Sequence, residues 1–477
     1  MRGGFGVVLS AVAGLAVAGT VSAQTVAPAA PGPCAAAEPL LAAANLAAVL
    51  TQKDIVAADV DQAVARAPDC SAARLRKAEI DLARGRGDDA RREASAVIAR
   101  DPNMAEAYAV RALAILPGRE GADRAQMTTR THAAIADFSR AIDLGLADPL
   151  IFVARSEAYD EIDDKTHAMA DMDRAVAADP GNPRWLIVRG QSYETSLRDY
   201  DKAIADYKAA RDKSGADDMQ MGLSYRSAVR AYQEKGDLDG AIAFVGQAVS
   251  AYPKDPQYLR MRAELYADHH DDAHAIADLS AVIAVDAMPD DFIRRARAYA
   301  ETGDYPRGLA DTGEALQGNP GDAEAYVVRG QIDERKGDVA TAIADYDRGL
   351  ALRPGSGWGL AANAACWTRA THNVELDKAL AACDALIEAF DMDVPMDRSV
   401  HDSRGFVQFR RGEYAAAVTD YTTALETQPK LASSLFGRAL AEQKLGQADA
   451  AKADFAAARA AKPDIDAEFK TYGVTAE

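Results

Sequence analysis

AEAYVVRGQIDERKGDVATAIADYDRGLALRP, residues 323–354, decides the fold. It divides at Gly337-Asp338 into two halves. A glycine can take the left-handed backbone that ends a helix, and an aspartate after it can cap the next. Two antiparallel helices joined by a tight turn are therefore expected, with Pro354 closing the unit. Gly330 and Ala342 are small enough to let these helices approach, and Tyr326 and Tyr346 fill the space around them.

The unit recurs. Its closing proline returns at Pro102, Pro180, Pro253, Pro320, Pro429 and Pro463. The small residue of the second helix returns from Ala90 to Ala451, with Gly308 standing in once. These aromatic, Gly, Ala, aromatic and Pro landmarks, at a period of about 34, resemble the tetratricopeptide repeat. The resemblance implies an all-α, right-handed superhelical solenoid of stacked antiparallel helix hairpins, one continuous stack. About eleven repeats would span 71–463, behind a degenerate hairpin at 37–70 and ahead of a capping helix and tail at 464–477. The segments PGREGADRAQMTTR (117–130) and DMDVPMD (391–397) break register and read as loops.

The family usually places leucine at the seventh position of the unit, and this chain mostly places arginine. Arg155, Arg262, Arg295, Arg329, Arg404 and Arg438 each precede by sixteen residues Asp171, Asp278, Asp311, Asp345, Asp420 and Asp454. Arg189 and Asp206 match with one residue added, and Arg111 and Asp137 match across the insertion. Where the arginine is missing the aspartate is missing too: Ala228 faces Phe244, and Lys77 faces Glu93. The two positions are expected to touch, as a forked ion pair that sets the register of each hairpin. A motif present at every rung is architecture rather than an active site.

Cys366 takes the arginine position, and Cys383 lies one residue past the aspartate position. A Cys366–Cys383 disulfide is expected to replace that ion pair. Cys34 and Cys70 then remain, flanking the leading hairpin as a second pair.

Residues 1–23 read as a signal peptide cleaved near Ala23, and 24–36 as a linker. A periplasmic or secreted protein is expected, in a compartment that permits disulfides. The net charge of -19 disfavours nucleic acid and anionic membrane surfaces. No stretch after the signal is long and apolar enough to span a bilayer.

No catalytic motif is present, so neither an enzyme nor a cofactor is expected. The cluster His269, His270 and His274 has metal-ligand residue types but falls at a turn tip, where polar residues are common. In the resembling family, the second, fifth, sixth, ninth and twelfth positions of each first helix line a concave groove. Carried over, they give the arginines Arg226, Arg230, Arg260, Arg294 and Arg297, with Glu264 among them. These either bind an acidic ligand or pair with acids on neighbouring rungs. Toward the C-terminus the same positions give Phe406, Phe409, Phe436 and Leu440, a patch suited to a peptide or amphipathic helix, or one packed against the last helix. The expected function is an exported scaffold holding a protein or peptide in its groove, an acidic one where the arginines bind it. The alternatives are a metal-dependent protein using the histidines, and an assembly factor acting through its convex face.

Overall fold

The computed structural model describes residues 32–49, 53–116, 124–215, 218–353, 355, 357–390 and 399–476. Residues 1–23, read above as a signal peptide, most of the expected linker, Pro354, the 391–397 connector and the first half of the 117–130 insertion lie outside these residues. Every regular element among the described residues is helical. The chain divides into two compact units, Met1–Asp237 and Leu238–Glu477.

The first unit pairs α1 (Glu38–Val49) with α2 (Lys53–Arg66), α3 (Ser71–Ala83) with α4 (Gly87–Arg100), and α5 (Ala105–Ile115) with α6 (Arg124–Asp143). It continues with α7 (Pro149–Glu161) and α8 (Lys165–Ala178), α9 (Pro183–Ser192) and α10 (Tyr200–Ser214), and ends on α11 (Asp218–Lys235). The second unit opens on α12 (Leu238–Ala251). It stacks α13 (Pro256–Asp268) with α14 (Asp272–Asp286), α15 (Pro289–Glu301) with α16 (Tyr305–Gly318), and α17 (Ala323–Arg335) with α18 (Val339–Leu350). Then come α19 (Trp358–Thr371) with α20 (Leu376–Phe390), α21 (Ser399–Arg410) with α22 (Tyr414–Thr427), α23 (Ala432–Lys444) with α24 (Ala448–Ala461), and a short α25 (Ile465–Thr471).

Local chemistry explains the hairpins. Gly337 adopts φ 85°, and the Asp338 carboxylate caps α18 by accepting from the Thr341 N–H at 3.2 Å. Inside the hairpin, a Cβ on Gly330 would stand 2.5 Å from the Tyr346 ring, and one on Gly190 would stand 2.6 Å from Tyr207. Only glycine admits the buried tyrosine there, so the two residues interlock like knob and socket.

All eight arginine–aspartate pairs form, each through Nε and Nη2 to the two carboxylate oxygens. Arg329, for example, donates to Asp345 at 2.7 and 2.8 Å. A third contact was not expected from the sequence. The remaining Nη1 of Arg155, Arg189, Arg295, Arg404 and Arg438 donates to Ser139, Asp173, Ser280, Asp384 and Thr422 on the second helix of the preceding repeat. One guanidinium thus ties three helices. Gly246 and Gly313 occupy the corresponding positions sixteen residues before Arg262 and Arg329.

Disulfides join Cys366 to Cys383, between α19 and α20, and Cys34 to Cys70. Two expectations need correction. Lys77 pairs with Asp61, and Glu93 is taken by Arg74 at 2.7 Å, because Arg74, one turn earlier, faces it. The second half of the insertion is helical: Arg124–Thr129 extend α6 by more than a turn, with no breaker after Gly121. The expected capping helix at the C-terminus is present as α25, with Ile465 and Phe469 buried.

Candidate functional site

In two hairpins, one in each unit, the buried tyrosine meets a glutamate four residues after the packing glycine. In the second unit, the Tyr346 hydroxyl donates to Glu334 at 3.0 Å, and Thr368 from the next repeat donates to the same oxygen at 3.1 Å. In the first unit, Tyr207 donates to Glu194 at 2.8 Å, and Arg230 from the next repeat grips that carboxylate through Nε and Nη2. Burial, reinforced by the glutamates, pushes both phenols above the ordinary tyrosine range.

Above Glu334 lies a cavity of about 1000 Å³, formed by α15, α17 and α19 and reached at one end by Tyr472. Its cations are balanced: Arg297 donates to Glu324 at 2.7 Å, and Arg335 donates to Glu301 at 2.6 Å. Leu360 is 50% exposed there. Asn363 accepts from the Ser403 hydroxyl at 2.9 Å, which leaves its NH₂ group without a partner among the described residues. Gln331 and the Trp367 indole N–H likewise have none there. The lining thus combines apolar contact with open hydrogen-bond donors.

The arginines fall in both units. Arg230 pairs with Glu194, Arg260 with Asp291 at 2.8 Å and with Asp286, Arg294 with Asp290 at 2.7 Å and Glu264 at 3.3 Å, and Arg297 with Glu324. Neighbouring rungs supply partners to all four. Arg226 is exposed and has no partner among the described residues.

The aromatic positions are already covered. Phe406 and Phe436 are 1% and 0% exposed, and Phe409 is partly buried. Phe469 of α25 sits against both, with ring centroids at 5.6 and 4.6 Å. Tyr472 packs on Trp367 and Phe406 at 5.9 Å. The patch expected from the sequence is therefore occupied by the chain's own C-terminal segment. Beside it Asp402 is buried, accepting from the Ser433 and Ser434 hydroxyls at 2.9 and 2.6 Å. Burial pushes its carboxyl up to about 6 against the lowering effect of those two bonds.

The histidines serve the turn. His274 Nδ1 lies 2.7 Å from the capping Asp271, and its ring stacks on Tyr266. His167 repeats this arrangement with Asp164 and Tyr159. His269 lies 3.2 Å from Asp239, and His270 takes the left-handed turn position at φ 58° that Gly337 holds in its own hairpin. No group of three or more His, Cys, Asp or Glu among the described residues could hold a metal ion.

The family's groove positions, carried onto 323–335, do mark Val327, Val328, Gln331 and Glu334, all of which line the cavity. Leu360, Asn363 and Trp367 fall outside those positions, and nothing in the sequence marks Tyr472 as a wall of it.

Two family profiles described as tetratricopeptide repeat match the chain, one at residues 154–218, 293–357 and 403–465, the other at 195–265. The chain is 23% identical over 342 residues to mouse tetratricopeptide repeat protein 16, covering 65% of this chain and 43% of that protein, so it spans less than half of that relative. Among solved structures, it is similar to yeast Tom70 at 15% identity and a TM-score of 0.43, covering 92% of this chain and 94% of the other. It is also similar to a thermophilic TPR protein from Thermus thermophilus, at 19% identity and a TM-score of 0.36, covering 40% and 98% of the two chains. By its repeats and the matches of both family profiles, the chain belongs to the tetratricopeptide repeat family.

Proposed function

We propose that this protein is an exported, non-enzymatic scaffold that holds a segment of a partner protein in the concave groove of its second unit. The observation that carries this reading is the cavity of about 1000 Å³, with exposed Leu360 beside the open donors of Gln331, Asn363 and Trp367. A peptide supplies what such a lining lacks, main-chain carbonyl acceptors and an apolar side chain. The balanced arginine pairs remove the reason to expect a strongly acidic ligand in this unit. Arg226 remains an anion contact for the first.

Export rests on the leader-like residues 1–23. Sequencing the mature N-terminus tests it, with Gln24 expected first and an uncleaved Met1 start counting against it. The groove is tested with a photocrosslinking residue placed in intact cells at Leu360, or at exposed Lys378 on the second helix of its hairpin. A partner captured from Leu360 and not from Lys378 supports the reading. Capture from Lys378 alone would move the function to the convex face.

A further inference from the structure

The strongest feature left over is the C-terminal segment lying on the surface that the sequence marks as a docking patch. Ile465, Phe469 and Tyr472 stand at i, i+4 and i+7, one apolar stripe of a helix. Phe469 is 1% exposed against Phe406 and Phe436, and Tyr472 reaches Trp367. Arg410 donates from its guanidinium to the Tyr472 main-chain carbonyl, closing the end of the helix.

This element is weakly built. It has seven residues, too few to hold a helix without its dock. Its other polar ties, Arg459 to Asp466 and Lys462 to Glu468, are exposed or half-buried ion pairs of the kind that contribute little. Glu468 also acts unfavourably on the carboxylate of buried Asp402. Tyr472, meanwhile, is a wall of the open cavity, so the covered patch and the open groove are one continuous surface.

We infer that residues 465–474 are an exchangeable internal ligand, and that the partner displaces them with an amphipathic helix of the same chemistry. That helix carries an aliphatic, a phenylalanine and a second aromatic residue at i, i+4 and i+7, and offers a main-chain carbonyl to Arg410. The inference rests on the groove reading above and adds which partner element enters and what it must displace.

The test uses the full chain and a fluorescent synthetic peptide spanning residues 462–476. In the F469A/Y472A variant the peptide is expected to bind at least tenfold more tightly than to the unaltered protein, and Phe436→Ala added to that variant is expected to remove the gain. No gain in a variant whose helical circular dichroism is intact overturns the inference. A second measurement needs no variant: the amides of Phe469, Tyr472 and Val474 are expected to exchange with deuterium at least a hundredfold faster than those of Phe436 and Leu440. Exchange at one common rate would show that the segment opens only with its whole unit, and overturns the inference as well. If Leu360 still captures a partner in that case, the groove reading stands alone. If the peptide binds but Leu360 captures nothing, the exchangeable dock stands and the open cavity loses its role.

Discussion

The hairpin α17–α18 and the hairpin α21–α22 share one interior and differ in what their first helices carry at the family's groove positions. Each has the forked pair, Arg329 with Asp345 and Arg404 with Asp420, and each buries a tyrosine on a glycine, Tyr346 on Gly330 and Tyr421 on Gly405. The groove positions are inverted. Val327, Val328, Gln331 and Glu334 in the first correspond to Asp402, Ser403, Phe406 and Phe409 in the second. Glu334 accepts from Tyr346, but Phe409 cannot, and the Tyr421 hydroxyl is buried without a partner. The first hairpin therefore lines an open cavity and the second lies under α25. Four substitutions on a constant scaffold decide whether a rung is open or covered.

The shared interior breaks first. Arg329→Ala takes both forked bonds from Asp345, whose side chain is 1% exposed, and leaves it only the exposed Arg348 at 2.9 Å, so it is expected to cost about 3 kcal/mol in urea unfolding. Arg404→Ala should cost a similar amount, whereas Arg329→Leu with Asp345→Leu should cost far less. Additive single effects in that double-mutant cycle would mean that the pair does not act as a unit.

Between the two hairpins, the α19–α20 rung divides the arginine's work. The Cys366–Cys383 bond holds the hairpin, and buried Arg369 reaches Asp347 of the preceding repeat at 2.8 and 2.9 Å. Replacing both cysteines by alanine is expected to lower stability by about 3 kcal/mol, from the loop that the bond closes. Peptide mapping without reductant should return Cys366–Cys383 and Cys34–Cys70, and a crossed pair would contradict this division.

Asp402 stands where the open hairpin has Val327. Its folded-state carboxyl titrates at about 6, above its unfolded value near 4. Between those two values the native state holds a proton that the unfolded chain has released, so its contribution to stability falls as pH rises and reaches its full cost above about pH 6. Asp402→Asn should be nearly neutral at pH 4 and stabilising by about 2 kcal/mol at pH 7.5. A gain that does not depend on pH would place its origin elsewhere.

The tyrosines sharpen the contrast with opposite signs. Tyr346→Phe loses the bond to Glu334 and should cost about 1 kcal/mol, while Tyr421→Phe removes an unsatisfied hydroxyl and should gain about as much. Equal signs would show that the two hydroxyls do not differ. Smallest is Gly313→Ser, which restores a hydroxyl at the position that meets the third arginine N–H elsewhere. A built Cβ there meets nothing within 4 Å, and a gain of about 0.5–1 kcal/mol in thermal unfolding is expected.

The sequence by itself determined the hairpins, their turns and the partners of the repeated arginines. Those features depend on residues within one repeat, and the chain supplies several copies to compare. Gly337 and Asp338 are legible because a left-handed turn and a helix cap are local events. Only the tertiary structure decided the rest. It turned the third N–H of Arg295 onto Ser280 of the previous repeat, gave Glu93 to Arg74 and set Arg297 against Glu324. It also laid Phe469 over the patch of Phe406 and Phe436. Each of these depends on which surfaces meet across repeats, and side-chain reach and packing choose between partners that the linear pattern leaves equivalent.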